Sequence, residues 1–380
     1  MIPFNKPYMT GKEMHYIYDA VYSGKISGNG KYTEKCQNFL QKKYSFGKCL
    51  LTTSCTDALE MAAILLDIKE GDEVIMPAFT FVSTANAFVL RGANIVFCDS
   101  REDHPGIDEC QISTLITPKT KAIVVVHYAG VACDMDLIMS LAEKHSLYVV
   151  EDAAQAIDSY YFSKKKNLKQ ALGSIGHLAA FSFHETKNII SGEGGMLVIN
   201  DNQFEKRAEI IWEKGTNRSS FYRGEVDKYG WVDIGSSFLP SDIIAAFLWA
   251  QLENIEDIQN KRISHWQNYN DGLTELFERK LIEKPFIPSY GSNNGHMFYF
   301  NCKSIEERDL LLKFLKENNV WAVFHYLSLE KSPYFSKYYK GQNLSNSQKF
   351  SETLVRLPFF YELEKQQLDE IIKVLLNFYK

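Results

Sequence analysis

Residues 121–156 read KAIVVVHYAGVACDMDLIMSLAEKHSLYVVEDAAQA. From Ala122 to Val126 every side chain is apolar, with no alternation. Such a run suits a parallel strand covered on both faces, not a strand with one wet side. DMDLIMSLAEKHS (134–146) follows with helical spacing, and LYVVEDAAQA (147–156) opens as a second buried run. A strand, a helix and another strand make a crossover unit, and crossover units build parallel sheets.

The same alternation extends outward in both directions. EVIMP (73–77) and NIVFCD (94–99) read as strands. DALEMAAILLDI (57–68) reads as a helix whose start offers Thr56 and Asp57 as N-caps. FVSTANAFVLRG (81–92) is a helix closed by Gly92, and DECQISTLI (108–116) a short one. LAAFSF (178–183) and GMLVIND (195–201) complete the strands, with a helix in 203–215. The pattern predicts an α/β fold, an open sheet wound with helices on both sides. In such sheets the ligand crevice lies beyond the carboxyl ends of the strands.

A helical pattern running from Ser241 to Phe277 is long for a globular helix and predicts a link to a second, smaller domain. The remainder, with HMFYFNCKS (296–304), residues 308–326 and the final QQLDEIIKVLLNFYK, reads as α+β. The expected division is a large domain over 1–255 and a small C-terminal one over 256–380. At 380 residues two domains are the natural expectation.

Bulk properties exclude several classes. With 45% hydrophobic and 23% charged residues the composition is that of an ordinary globular protein. A net charge of −5 argues against nucleic acid as the main partner, which requires a basic face. The start MIPFNKPYMT has no signal-peptide pattern, and no apolar run approaches the roughly 20 residues of a membrane helix. Seven scattered cysteines form no C-x-x-C pair, which fits free thiols in a reducing cytoplasm and gives no metal signature.

Candidate chemistry gathers where strands end. Asp152 follows LYVVE: it is either an N-cap or a buried acid that could hold a cationic ring nitrogen. TTSCTDAL (52–59) sets small hydroxyl residues at a helix start, where backbone N–H groups favour a phosphate or simply receive a cap. Phe79 and Phe81 follow a strand and could stack on a flat ligand or fill the core. His127 and Tyr128 close another strand, with a core or supporting place expected. Then comes SFHETKNIISGEGG (182–195), in which Lys187 is a solvated cation, a phosphate clamp or a nucleophile. Walker, kinase, dinucleotide-binding and H-E-x-x-H motifs are all absent. An acid, a phosphate-ready helix start, an aromatic ring and a lysine around one crevice match what pyridoxal phosphate requires.

These segments resemble the sugar aminotransferases of the DegT/StrS family. The likeness runs from IPFNKP and SGKISGNG through LLTTSCTDALEMAA, FTFVSTANAFVLRGA, VHYAGVACDMD, VVEDAAQA, FSFHETKN and GEGG to HMFY and VFHY. EKGTNRS, VDKY and DIGSS resemble in particular the subgroup that makes dTDP-4-amino-4,6-dideoxygalactose. The resemblance implies an aspartate aminotransferase-like large domain (fold type I) with a mostly parallel sheet, plus a small α+β domain. It implies pyridoxal 5′-phosphate bound covalently through Lys187, with Asp152 on the ring nitrogen, Gln155 near the ring hydroxyl and Phe81 on the ring face. Ser182 and the turn Ser54-Cys55-Thr56 would hold the phosphate; many relatives have glycine at the Cys55 position. A cross-subunit phosphate contact would fall nearest Ser237.

The implied reaction moves the amino group of L-glutamate to C4 of a dTDP-4-keto-6-deoxy sugar for cell-surface polysaccharide synthesis. Lys25, Ser27, Arg218, His325 and Tyr326 are the expected sugar-nucleotide residues, although SGKISGNG by itself reads as a turn and VFHY as a strand. The galacto product is expected, with the gluco epimer or a 3-keto acceptor as alternatives. A non-enzymatic regulatory relative is disfavoured because Lys187 stands where related dehydratases carry histidine. The family implies a homodimer with shared sites; the missing metal motifs and the scattered cysteines add the expectation of no metal and a cytoplasmic protein.

Overall fold

The computed structural model describes residues 1–380. Eleven strands form: β1 (Lys48–Thr52), β2 (Glu73–Pro77), β3 (Asn94–Cys98), β4 (Thr120–Val126), β5 (Tyr148–Asp152), β6 (Tyr160–Ser163), β7 (Leu168–Ala171), β8 (Leu178–Ser182), β9 (Gly195–Ile199), β10 (Tyr299–Asn301) and β11 (Leu354–Arg356). Seven of them make one sheet in the order β1-β9-β8-β5-β4-β2-β3. Only β9 runs against its neighbours, pairing antiparallel with β1 and β8; the other pairs are parallel.

The unbroken apolar runs have the expected cause. Ile123, Val125, Val149, Ala179, Phe181 and Val198 pack into one core, while Ala122, Val124, Val150, Leu178, Ala180 and Leu197 pack into another. Successive residues therefore face opposite layers of helices, and neither face of the central strands is wet. The expected α/β class, with a mostly parallel central sheet, is what forms.

A third core gathers residues from Tyr269 to Leu375 together with Ile2, around the two-stranded β10-β11 ribbon and the helices Ile305–Glu317 and Lys365–Phe378. Ile2 reaches it by a parallel bridge to Val320, so the start of the chain crosses onto this unit.

Four local expectations change. The long helix of residues 241–277 is three helices, Asp242–Glu253, Ile255–Gly272 and Thr274–Glu278. The first break is at Asn254, which leaves helical geometry and turns its side-chain amide onto the Ala250 carbonyl. Asp152, offered as an N-cap, starts no helix: residues 153–156 make a turn, and Asp152 Oδ1 accepts from the Ala154 N–H at 3.2 Å. The start of the 55–65 helix is capped by Ser54, not Thr56 or Asp57: the Ser54 Oγ accepts from the Asp57 N–H at 3.1 Å. VFHY is no strand; it contributes one isolated bridge, from Val323 to Arg356.

Candidate active site

The carboxyl ends of β1, β5 and β8 and the first residue of β9 meet at one rim of the sheet. Gly195 lies between Thr52 and Ser182 in register. A Cβ at Gly195 would strike the Ser54 carbonyl and the Cys55 nitrogen, so glycine lets β9 pass directly under the start of helix Cys55–Leu65. That helix start faces a cavity of about 770 Å³. Such a volume suits a small organic ligand.

Ser54, Cys55, Thr56, Phe81, Asp152, Gln155, Ser182, Lys187, His325 and Tyr326 all line this cavity. Asp152 ends β5 and is almost wholly buried. Its Oδ2 accepts from Thr84 Oγ1 at 2.7 Å, and Thr84 is itself within 2.9 Å of Thr80 Oγ1. Burial raises the Asp152 carboxyl above its ordinary range; Thr84, the Ala154 N–H and the nearby Lys187 charge oppose that rise. A cation placed against it would stabilise the ionised form further.

Lys187 projects from the connection between β8 and β9. This connection is closed by its own backbone, with Glu185 N–H on Gly192 O and Ser191 N–H on Phe183 O. Asn188 anchors it from behind: its amide donates to Gln259 Oε1 and Asn294 O, both at 2.9 Å, and its Oδ1 lies 2.8 Å from His296 Nδ1. Burial lowers the Lys187 ammonium below its ordinary value and Arg356 adds to this, while Cys55 and Asp152 act against it. More of the amine is therefore unprotonated and nucleophilic at neutral pH.

Phe81 leaves about half of its surface open, 53%, against 1% for Phe79, so the two phenylalanines divide into an available ring and a core ring. The Gln155 side chain is held at both ends, accepting from the Ala129 N–H at 2.6 Å and donating to Tyr326 OH at 3.1 Å. His325 stacks on Tyr326 with ring centroids 3.5 Å apart, and its Nδ1 is 2.6 Å from Tyr128 OH. Behind the site, His127 and Glu151 are fully buried and 2.9 Å apart. Burial alone would raise Glu151, yet His127 and the N–H groups of Gly176 and Gly173 hold it below the carboxylate norm.

Four expected residues lie elsewhere. Lys25 donates to Asn29 O within its own turn, and Ser27 is exposed beside it. Arg218 is exposed on the helix Arg218–Tyr222 and sits over the Tyr222 ring. Ser237 is exposed and bridges to Glu213. None of the four lines the cavity of this single chain. Phe4, Asn5, His184, Glu193, His296 and Arg356 also line it, and no sequence motif marks them for that place. Phe4 and Arg356 come from opposite ends of the chain, where no local pattern links them.

The donor set fits pyridoxal 5′-phosphate. A buried carboxylate, an amine of lowered basicity, an open aromatic face and a hydroxyl-rich helix start share one cavity. No group of histidine, cysteine and carboxylate side chains is arranged to hold a metal. No helix is long and apolar enough to cross a membrane.

Comparison with known proteins agrees with the geometry. Residues 7–376 match the DegT/DnrJ/EryC1/StrS aminotransferase family. The chain is 30% identical over 379 residues to the GDP-perosamine synthase of Escherichia coli O157:H7, covering 100% of this chain and 98% of that protein. It is 27% identical over 391 residues to the spore coat polysaccharide biosynthesis protein SpsC of Bacillus subtilis (strain 168), covering 100% and 97%. Among solved structures, the putative sugar aminotransferase Spr1654 of Streptococcus pneumoniae in its PLP form superposes with a TM-score of 0.88 at 26% identity, covering 98% of this chain and 97% of that one. The fold is that of the pyridoxal-phosphate aminotransferases.

Proposed function

Since the chain belongs to the DegT/DnrJ/EryC1/StrS aminotransferase family and is a pyridoxal 5′-phosphate-dependent aminotransferase, we propose that it transfers the amino group of L-glutamate to C4 of dTDP-4-keto-6-deoxy-D-glucose. The products are 2-oxoglutarate and dTDP-4-amino-4,6-dideoxy-D-galactose, the latter a precursor of cell-surface polysaccharide. The observation that carries the transamination reading is the placement of Lys187 and Asp152 on one cavity below a helix start. The choice of acceptor rests on the subgroup segments EKGTNRS, VDKY and DIGSS.

When bound, the cofactor supplies an aldehyde that exchanges amino groups and a cationic ring that withdraws electrons from the reacting carbon. The chain's residues prepare both ends. Asp152 would accept the N–H of the ring nitrogen and favour its cationic form, with the Thr84 hydroxyl already bonded to Asp152 Oδ2. The N–H groups at the helix start, with the Ser54, Thr56 and Ser182 hydroxyls and the Cys55 backbone, receive the phosphate. Phe81 would cover one ring face and Gln155 would meet the ring oxygen. Lys187 Nζ holds the cofactor between turnovers, then takes the proton from the donor's α-carbon as general base. His325 and Tyr326 meet the sugar.

We also propose a homodimer with shared sites. Tyr222, Tyr229 and Trp231 are widely exposed on the segment that carries Arg218 and Ser237. A partner copy would bring Lys25, Ser27, Arg218 and Ser237 to a cavity they do not reach in their own chain. The domain division proposed is 1–255 and 256–380, and the protein is placed in the cytoplasm. A GDP-linked acceptor is the second reading, favoured by the 30% identity to a GDP-perosamine synthase.

The test is spectroscopic. Added L-glutamate should convert the visible band of the loaded protein to a near-ultraviolet band, and dTDP-4-keto-6-deoxyglucose should restore it. NMR of the product then reads the C4 configuration. No conversion with glutamate removes the donor assignment, and restoration only by GDP sugars selects the second reading.

A further inference from the structure

The turn after β4 supplies two hydrogen-bond donors to side chains of the cavity wall, one from the Tyr128 hydroxyl and one from the Ala129 backbone. Ala129 N–H donates to Gln155 Oε1 at 2.6 Å, which orients the amide and leaves Gln155 Nε2 to donate to Tyr326 OH at 3.1 Å. The Tyr326 oxygen is an acceptor in that bond, so its own proton stays free. The Tyr128 hydroxyl lies 2.6 Å from His325 Nδ1 and has no other partner. Tyr128 is fully buried with Phe79, Met297, Tyr299 and Phe350, and the Tyr299 hydroxyl is itself unpartnered. Burial raises the Tyr128 phenol well above its usual 10.0, so the phenol keeps its proton and needs an acceptor. Burial also holds the His325 imidazole well below 6.5, and the Arg356 and Lys187 charges add to this. A neutral imidazole carries one N–H. Placed on Nδ1, that proton would face the phenol's own, and the phenol would have no acceptor.

We infer that Tyr128 is a positioning residue that keeps the His325 proton on Nε2, so that His325 meets the sugar as a hydrogen-bond donor. This rests on the reading above in which His325 and Tyr326 meet the sugar. The ring plane is fixed as well: His325 stacks on Tyr326 at 27°, and Phe79 stands edge-on to it with centroids 6.4 Å apart. With Nδ1 tied to Tyr128, Nε2 is the remaining polar corner. It makes no hydrogen bond within the chain and is not sealed off from the cavity that His325 lines. His325 Nε2–H and Tyr326 O–H are thus two neighbouring donors, both given their direction by the one turn at residues 128–129. Their complement is an oxygen with lone pairs, the carbonyl or a hydroxyl of a keto-sugar. An ammonium group has no lone pair to offer and is not accepted there.

The experiment uses cofactor-loaded protein. Heteronuclear NMR of histidine-labelled wild type, with His325→Gln to identify the signal, should show a protonated Nε2 and a bare Nδ1 at residue 325. Tyr128→Phe keeps the ring and removes the hydroxyl, and the two tautomers should then mix. In this variant the keto-sugar concentration for half-maximal restoration of the visible band should rise about 3- to 10-fold, as for one hydrogen bond. The half-reaction with L-glutamate should stay within about twofold, a split that a general packing defect does not produce. The amide of His325→Gln can donate whatever residue 128 is, so in that background Tyr128→Phe should add less than about twofold. An equal added cost in both backgrounds overturns the inference, because the hydroxyl would then act through packing alone. A proton on Nδ1 in wild type overturns it too, as does equal slowing of both half-reactions. If Tyr128→Phe fails to fold, the wild-type spectrum decides. A band that ignores L-glutamate overturns the transamination reading instead, and the position of the proton is still read by NMR.

Discussion

Lys187 sits where burial disfavours its charged form, and its consequence can be read as a pH dependence. The ammonium is lowered from the ordinary 10.5, mainly by burial. In the cofactor-free protein the charged lysine is penalised at pH below its native pKa. The penalty fades as pH rises from that value to 10.5, so stability gains over this window. We expect the rate of cofactor attachment, followed by absorbance, to rise through the lowered pKa and level off before 10.5; a rate still climbing at 10.5 would contradict the assignment. Lys187 and Asp152 were legible because each follows an apolar strand, and strand ends define the crevice in such sheets. Arg356 was not legible, because its meaning depends on Phe4 and Phe324, neither of which is near it in the chain.

At Gly195 strand β9 passes directly against the start of the helix Cys55–Leu65. Alanine there would force β9 and residues 54–55 apart, because the obstacle is backbone that cannot rotate away. We expect Gly195→Ala to lower stability by about 1–3 kcal/mol, as measured by urea unfolding, and to weaken cofactor binding in a titration. Retention of full cofactor affinity would show that the helix start does not cradle the phosphate. At this scale the sheet strands were legible from their apolar runs. The β6-β7 hairpin was not singled out: its strands have four residues each and flank a charged turn, too short for a periodic signal. The helix break at Asn254 was equally hidden, because apolar spacing continues on both sides of it.

The whole molecule depends on fastenings between units distant in sequence. Asp99, just after β3, caps the helix Ser345–Thr353, accepting from the N–H groups of Ser347 at 2.8 Å and Asn346 at 3.1 Å. We expect Asp99→Ala to cost roughly 1–2 kcal/mol in denaturant unfolding, the usual range for a lost cap, while the visible cofactor band is unchanged. A lost band would place Asp99 in the cofactor site. Which residues fasten across units could not be read from the sequence, since a capping aspartate and its helix usually adjoin.

Phe4 and Arg356 form one wall of the cavity, although a ribosome makes the first long before the second. Phe4 O accepts from the Phe359 N–H at 3.0 Å, so the opening segment has no docking place until residues 320–359 have emerged. A nascent chain can assemble the sheet and expose Lys187 early, but the chamber stays open on that side. Vitamin capture by a ribosome-bound chain should therefore be reversible, becoming lasting only after release. Closing so long a loop is slow relative to local helix formation.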